Sequence, residues 1–350
     1  MTETLHIAGR PIGPAHPPYV IAELSGNHNG NIERAKQLIR EAKQAGADAI
    51  KLQTYTADTI TIDHDSPDFR ITGGPWNGRR LYELYQEAHT PWDWHEELFV
   101  VAAEVDITVF SSPFDFTAID FLDDLGVPAY KIASFECIDL PLIRYAAAKG
   151  KPMIISTGMA TMAEIEEAVA AAREAGAPDV VLLHCISAYP SKPEDYNLST
   201  IPELQRRFGC LTGLSDHTLG TLVATTAVPL GISVIEKHLT LRRADGGPDA
   251  AFSLEPAEMA DLVARTRTAH AALGVPRVGA TEAERGSTVF RRSLYAVADI
   301  RKGEPLTTAN VRSIRPGYGL APKHYDEVVG RVAATDIPRG TALIWEHVGR

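Results

Sequence analysis

The chain has 350 residues, 45% of them apolar, and a formal net charge of −11. It can therefore build a large core, and it lacks the basic surface that a nucleic-acid or anionic-membrane partner needs. Its length points to one large domain and a smaller one.

Cys137, Cys185 and Cys210 are widely spaced, without a CxxC pattern, and read as reduced thiols. The opening MTETLHIAGR has neither the basic nor the apolar region of a signal peptide, and no apolar run could span a bilayer, so a soluble, cytoplasmic protein is expected.

In chain order, LHIAGRPIG reads as a small hairpin placed to cover the floor of a barrel. Eight short apolar runs come next: YVIAEL (19–24), AIKLQ (49–53), ITVFSS (107–112), AYKIAS (129–134), MIIST (153–157), VVLLHC (180–185), TGLSD (212–216) and VIEKHL (234–239). Their β-branched, near-continuous apolar character suits strands buried on both faces, as in a parallel sheet. Helical patterns separate them. NIERAKQLIREAKQAGA sets Ile32, Ala35, Leu38, Ile39 and Ala42 on one face and stops near Gly46. TPWDWHEELFVVAAE offers Thr90 as a cap with Pro91 at the first helical position. TMAEIEEAVAAAREAGA carries Thr161 and Glu164 at capping-box spacing. Eight such units over about 250 residues predict a (β/α)8 TIM barrel, with an open doubly wound sheet as the alternative.

Residues 54–89 form a loop out of proportion to the rest, and its aromatic, Gly and Arg content suits a substrate lid. Past Gly274 the texture changes. Residues 275–288 read as a linker and 289–350 as a compact, β-rich module with an internal echo, DIRKGEPLT (299–307) and DIPRGTALI (336–344). The predicted organisation is thus a barrel over 1–274, the linker, and a module whose core is too small to be very stable alone.

A barrel of this kind carries its active site at the C-terminal ends of its strands. The eight runs offer there Glu23; Lys51 and Gln53 on one face; Ser112; Lys131 and Ser134, with Glu136 beyond; Ser156 and Thr157; Ser187 and Tyr189; Ser215 and His217; and Glu236 and His238. Two lysines and several hydroxyls among free backbone amides suit a phosphate or carboxylate. His217 and His238 on neighbouring strands, with Asp216 and Glu236 alongside, suit a divalent metal with open positions, able to polarise a carbonyl oxygen. Glu23 is either a catalytic carboxylate or the partner of a lysine. Asp63–His64–Asp65 reads as a solvated loop, and His95, in a WHEELF run without HExxH spacing, as surface. GGPD (246–249) reads as a turn from which Asp249 could meet substrate hydroxyls.

IAELSGNHNGNIERAKQLIREAKQAGADAIKLQT, SSPFD, AYKIAS, ISTGMA, LHCISAYP, GLSDHT, IEKHLT and GGPD resemble the sialic acid synthase family, and RKGEPLT with SIRPGYGL resemble its small antifreeze-like (SAF) domain. The resemblance runs over nearly the whole chain. It implies a TIM barrel followed by a SAF domain, and condensation of phosphoenolpyruvate with an open-chain N-acetylated amino sugar to a nine-carbon 2-keto acid and phosphate. A divalent metal ion (Mn2+, Mg2+ or Co2+) would assist. ELSGNHN, LQTYTADTITID, ASFE, SAYP and GGPDAAFSLEP look most like the pseudaminate-forming branch, whose acceptor is 2,4-diacetamido-2,4,6-trideoxy-L-altrose. Legionaminate- and N-acetylneuraminate-forming branches are the alternatives. Leu24-Ser25 and Ser187 stand where the neuraminate-forming branch tends to have Ile-Gly and Asn.

Carried over by motif, Lys51, Ser112, Lys131, Ser134, Ser156, Ser187 and Ser215 would hold phosphoenolpyruvate, and His217 and His238 the metal. Gln53, Tyr189 and Asp249 would face the sugar; separately, Glu23 is the candidate for stabilising a cationic intermediate or guiding the proton of a water. Arg315, in RPGYG, would reach over the barrel mouth of a second subunit in a domain-swapped homodimer. Outside the family stand a Schiff-base pyruvate aldolase using Lys131 or Lys51 and a non-catalytic ligand-binding barrel.

Overall fold

The computed structural model describes residues 4–349, and the chain divides into two compact units, Met1–Gly274 and Val275–Arg350. The first begins with an antiparallel hairpin of β1 (Leu5–Ile7) and β2 (Arg10–Ile12). Eight parallel strands come after it: β3 (Tyr19–Glu23), β4 (Ala49–Thr54), β5 (Thr108–Pro113), β6 (Tyr130–Ile132), β7 (Met153–Ser156), β8 (Val180–Cys185), β9 (Leu211–Asp216) and β10 (Val234–His238). They pair in chain order, and β10 returns to β3 with His238 opposite Glu23, which closes the barrel and rules out the open sheet.

Every residue of β3 and of β6 to β10 is buried, because helices cover the outer face and side chains fill the inner one. Leu5, Ile7 and Ile12 of the hairpin join one apolar cluster with Tyr19, Ala49, Tyr130, Met153, Val180, Leu211 and Val234. Those last seven residues each open a strand, so the hairpin plugs the N-terminal end and leaves the C-terminal mouth for chemistry.

Two of the three helix starts marked in the sequence are capped by side chains and the third is not. Asn31 caps the helix Ile32–Gln44, its side-chain oxygen accepting from the amides of Glu33 and Arg34 at 2.9 and 3.1 Å. Thr161 and Glu164 form the expected capping box, with Thr161 N donating to Glu164 Oε2 at 2.7 Å. Thr90 does not cap. A short 3-10 turn, Trp92–Trp94, intervenes, and the helix runs His95–Glu104.

His95 is fully buried rather than on the surface. Its Nδ1 donates to Pro91 O at 3.2 Å, so its Nε2, 2.8 Å from Thr54 Oγ1, accepts from that hydroxyl. The missing motif spacing did not make the residue a surface one.

Residues 54–89 are not one structureless loop. They carry the helices Ala57–Ile60 and Leu81–Ala88 and, between them, a hairpin-like excursion in which Arg70 bridges Arg80. Asp63 and Asp65 are spent on ion pairs to Arg80 and Arg70, at 2.8 and 2.7 Å. No helix among the described residues is long and apolar enough to cross a membrane.

In the second unit the stretch read as a linker contains a 3-10 segment, Glu282–Phe290. Beyond it stands the antiparallel pair β11 (Ser293–Ala296) and β12 (Val311–Ile314). Leu294, Ile300, Leu306, Val311, Val328, Ile337 and Leu343 form its core. The internal echo has a structural counterpart. Ile300 and Ile337, equivalent in the two copies, exchange both backbone hydrogen bonds at 2.9 and 2.7 Å. Asp299 accepts from Arg339 N at 2.8 Å, and Asp336 from Lys302 N at 2.7 Å. Two copies of one strand–turn unit thus pack about a local pseudo-twofold and share one core.

Burial holds the imidazoles of His28 and His95 down to about 4. Each is neutral in the fold, whereas in the unfolded chain it takes up a proton near the ordinary value of about 6.5. The folded pKa is the lower one, so stability is lost as pH falls from about 6.5 toward 4 and is unaffected above that window. Denaturant melts across this range should show His95→Gln with the shallower acid loss, by about 3 kcal/mol in total. Parallel curves for the two proteins would show that His95 does not titrate as stated.

Candidate functional site

The two-residue period of β10 turns Glu236 and His238 into the barrel and Lys237 outward. Glu236 is the hub. Its Oε1 accepts from Ser215 Oγ at 3.0 Å and lies 3.7 Å from Lys131 Nζ, while Oε2 is 3.5 Å from Lys51 Nζ. Lys51 also pairs with Glu23 at 2.9 Å and donates to Ser112 Oγ at 3.3 Å. Gln53 Nε2 donates to the other oxygen of Glu23 at 2.9 Å. Side chains from β3, β4, β6 and β10 therefore make one chain across the mouth, Gln53–Glu23–Lys51–Glu236–Lys131. Its four charged members are each at most 5% exposed.

Burial drives the charges in this chain apart. It pushes the Glu23 carboxyl up to about 7, against the pull of Lys51. Burial opposes charge on Lys51 too, but Glu23 and Glu236 outweigh it and hold that ammonium above its ordinary value. Burial lowers Lys131 despite Glu236. For Glu236 burial is overcome by Lys131 and Lys51, which keep it ionised. A Glu23 that spends part of its time protonated leaves two ammonium groups facing one full carboxylate, a field that attracts an anion.

At the ends of β6, β7 and β8 stands a group of hydroxyls. Ser156 Oγ and Ser187 Oγ are buried without a hydrogen-bond partner. Ser134 and Ser187 both converge on Gly158, where a Cβ would stand 2.5 Å from Ser134 Cβ and 2.9 Å from Ser187 Oγ, at a left-handed φ of +42°. Only glycine fits there, and the spare donors are what a phosphate or carboxylate oxygen would satisfy. Thr157 differs, since its hydroxyl is spent on Leu183 O at 3.3 Å. Glu136 Oε2 is a further buried oxygen without a partner, and burial raises that carboxyl to about 7.

The two imidazole rings lie 5.3 Å apart, centre to centre. His217 Nδ1 donates to Ile186 O at 2.9 Å, which in the neutral ring leaves Nε2 as a free lone pair. Burial opposes charge on this ring, but Cys185, whose Sγ lies 3.9 Å from Nδ1, outweighs it and holds the imidazole above its ordinary value. A cation at Nε2 therefore competes there with a proton. His238 Nδ1 is buried without a partner, and burial, then His217, lowers this imidazole well below its ordinary value, so it stays neutral. Two imidazoles with lone pairs to give fit a divalent cation. Among the described residues no group of three or more His, Cys, Asp or Glu is arranged to enclose one, so such an ion would keep most of its positions open.

Asp216 is not beside the histidines. It lies on the outer face of β9, where Lys237 pairs with it at 2.8 Å and both side chains are wholly buried. It also accepts from the amide and hydroxyl of Thr218 at 2.8 and 2.7 Å, and so ties down the residue after His217. Tyr196 holds the other side, its hydroxyl accepting from His217 N at 2.7 Å and donating to Ser215 O at 3.1 Å.

An aromatic rim completes the mouth. Tyr189 lies 4.5 Å from the His217 ring, and Phe252 lies 5.0 Å from His238 and 5.2 Å from Tyr189. Asp249 accepts from Ser25 Oγ and, at 3.4 Å, from Gly26 N, placing it between the loops after β3 and β10. Arg315 belongs to the second unit, just past β12, and is exposed.

Lys51, Lys131, Ser112, Ser215, Glu23, Gln53 and Tyr189 thus meet the histidines in one mouth. Sequence patterns gave no site role to Lys237, Tyr196, Cys185, Phe252 or Trp76. Strand alternation could have found Lys237, opposite Asp216 on the outer face; nothing local marks Trp76. Lys237→Met strips the counter-charge from a buried Asp216 and should cost about 3–5 kcal/mol in a denaturant melt, with most of it recovered in Asp216→Asn/Lys237→Met. Additive losses in that cycle would show the two side chains to be uncoupled.

Comparison with known proteins places the chain in a family. The sequence profile of the NeuB family matches residues 38–277, and that of the SAF domain matches residues 291–349. The chain is 46% identical to a pseudaminic acid synthase of Campylobacter jejuni, covering 93% of this chain and 95% of that one. It is 43% identical to the pseudaminic acid synthase of Helicobacter pylori, covering 95% and 98%. Among solved structures, an N-acetylneuraminic acid (sialic acid) synthetase from Leptospira borgpetersenii, in complex with citrate, superposes with a TM-score of 0.73 at 31% identity, over 82% of this chain and 95% of that one.

Proposed function

The chain belongs to the NeuB family, and from that membership we propose that it forms pseudaminic acid, joining phosphoenolpyruvate to 2,4-diacetamido-2,4,6-trideoxy-L-altrose with release of phosphate. The observation that carries the reading is the meeting of Lys51 and Lys131 with His217 and His238 in one strand-end cavity, Glu236 touching both lysines.

Phosphoenolpyruvate brings its phosphate and carboxylate to Lys51, Lys131 and the spare hydroxyls of Ser156 and Ser187, with Ser112, Ser134 and Ser215 alongside. These groups neutralise it and fix its methylene carbon toward the sugar. His217 and His238 would hold a manganese, magnesium or cobalt ion, which would supply Lewis-acid polarisation of the aldehyde oxygen. The C=C π pair of phosphoenolpyruvate bonds its methylene carbon to the aldehyde carbon while the C=O π pair passes to the aldehyde oxygen, leaving a cationic centre at the enol carbon and an alkoxide that is balanced by the proton the water gives up. Water adds to that centre, and the tetrahedral intermediate breaks its C–O bond to release phosphate. Glu23, held between Lys51 and Gln53, is placed to steady the cation and take the proton of the water. Gln53, Tyr189 and Asp249 position the sugar. The functional assembly is a homodimer in which Arg315 serves the barrel of a second copy. Analytical ultracentrifugation should give a particle of twice the chain mass, and a monomer would remove that part.

The reaction test uses the full chain with phosphoenolpyruvate, Mn2+ and each of three sugars: the diacetamido altrose, its legionaminate-forming counterpart, and N-acetylmannosamine. Phosphate release and product mass should single out the first, and an 18O label in the bridging oxygen of phosphoenolpyruvate should appear in the phosphate. Turnover of N-acetylmannosamine alone would overturn the choice of sugar. Pyruvate trapped on Lys131 or Lys51 by borohydride would replace the whole scheme with aldolase chemistry. His217→Ala should lower kcat at fixed metal by about 10³-fold or more while circular dichroism shows the variant still folded. Substantial turnover by that variant would remove the assigned role of the imidazoles.

A further inference from the structure

Residues 72–78 of the excursion between β4 and the helix Leu81–Ala88 are exposed, with Trp76 the exception: it is half-buried. The strands of the excursion close below it through Ile71 N to Arg79 O at 2.9 Å and Gly78 N to Ile71 O at 2.8 Å, so Trp76 sits at the tip. From there its indole turns back over the barrel. Nε1 donates to Pro248 O at 2.9 Å, and the ring lies 5.5 Å from Tyr189 and 6.4 Å from Phe252. With its one polar atom already satisfied, the indole has only apolar surface left to offer the cavity.

The mouth is layered. The lysines and carboxylates lie deepest, then the two imidazoles, then Tyr189 and Phe252 in contact with those imidazoles, and Trp76 outermost. An acceptor whose aldehyde must reach the lysine-held enol points its far end outward, into the aromatic layer. In the diacetamido altrose that far end, C6, is a methyl group. A hydroxyl facing the Trp76 indole and the Phe252 ring would give up its water without gaining a partner from either, since the one polar atom of the indole is already spent on Pro248 O.

Resting on that reading of the reaction, we infer that Trp76, with Phe252, forms an apolar wall that selects acceptor sugars carrying a methyl rather than a hydroxymethyl group at the end remote from the aldehyde. Trp76 is a specificity residue in contact with substrate and takes no part in the bond-making steps.

The test measures kcat and KM with the diacetamido altrose and with its 6-hydroxy counterpart, for wild type, Trp76→Phe and Trp76→Ala. An apolar pocket rejects an added hydroxyl by roughly 100-fold in kcat/KM, so wild type should show about that preference. Trp76→Ala should narrow it to about 5-fold or less, chiefly by raising the KM of the deoxy sugar, with the KM of phosphoenolpyruvate moving less than about 2-fold. Trp76→Phe, which keeps an aromatic face, should retain most of the preference. Titrating the deoxy sugar into wild type should change tryptophan emission, and the change should vanish in Trp76→Phe. A preference that survives Trp76→Ala, or a loss shared equally by both sugars, overturns the wall. Wild type that converts neither sugar overturns the function reading itself.

Discussion

The chain of alternating charge Glu23–Lys51–Glu236–Lys131 is the constraint around which the barrel mouth is arranged. Taking a single ion out of water costs several kcal/mol, and the cost is bearable only where opposite charges and hydrogen bonds surround it. Here each inner member touches two groups of opposite sign, while Ser112, Ser215 and Gln53 satisfy further atoms. The balance is imperfect by construction. Burial raises the Glu23 carboxyl to about 7, so this group is protonated part of the time and the cluster can exchange a carboxylate contact for an incoming dianion.

That exchange has meaning only because the strand ends are held still. The outer-face pair of Asp216 and Lys237 and the hydroxyl of Tyr196 act on the two sides of the β9 end, so His217 is fixed from both the helix layer and the neighbouring loop. At the opposite end the N-terminal hairpin fills the floor with Leu5, Ile7 and Ile12, which confines solvent access to the C-terminal mouth. The excursion from β4 then lowers an indole over that mouth. The polar interior and the apolar rim are thus built by different parts of the chain, the first by strand residues and the second by loops.

The second unit shows how a short chain builds a core by repetition. The pairing of Ile300 with Ile337 and the reciprocal caps from Asp299 and Asp336 satisfy polar backbone groups at equivalent points of the two copies, and Leu306 and Leu343 fill equivalent places in the core. Each copy supplies what the other lacks, so neither would bury enough apolar surface by itself.

Much of the barrel was legible in the chain, since strand and helix periodicity depend on near neighbours. The eight apolar runs mark the eight strands to within a residue or two, and the Thr161–Glu164 spacing marks a real cap. Lys51, Gln53, Lys131, Glu236 and the two histidines could be named in advance because a strand end in a closed barrel has only one face to present. Tertiary structure decided the rest. Whether His95 meets water and where Trp76 lands both depend on contacts between segments distant in the chain, and no local pattern encodes a partner 172 residues away such as Pro248. The sequence alone determined which groups the mouth would contain. Only the folded chain decided their pairing, because the energy of a buried charge or an aromatic face is set by what stands opposite it.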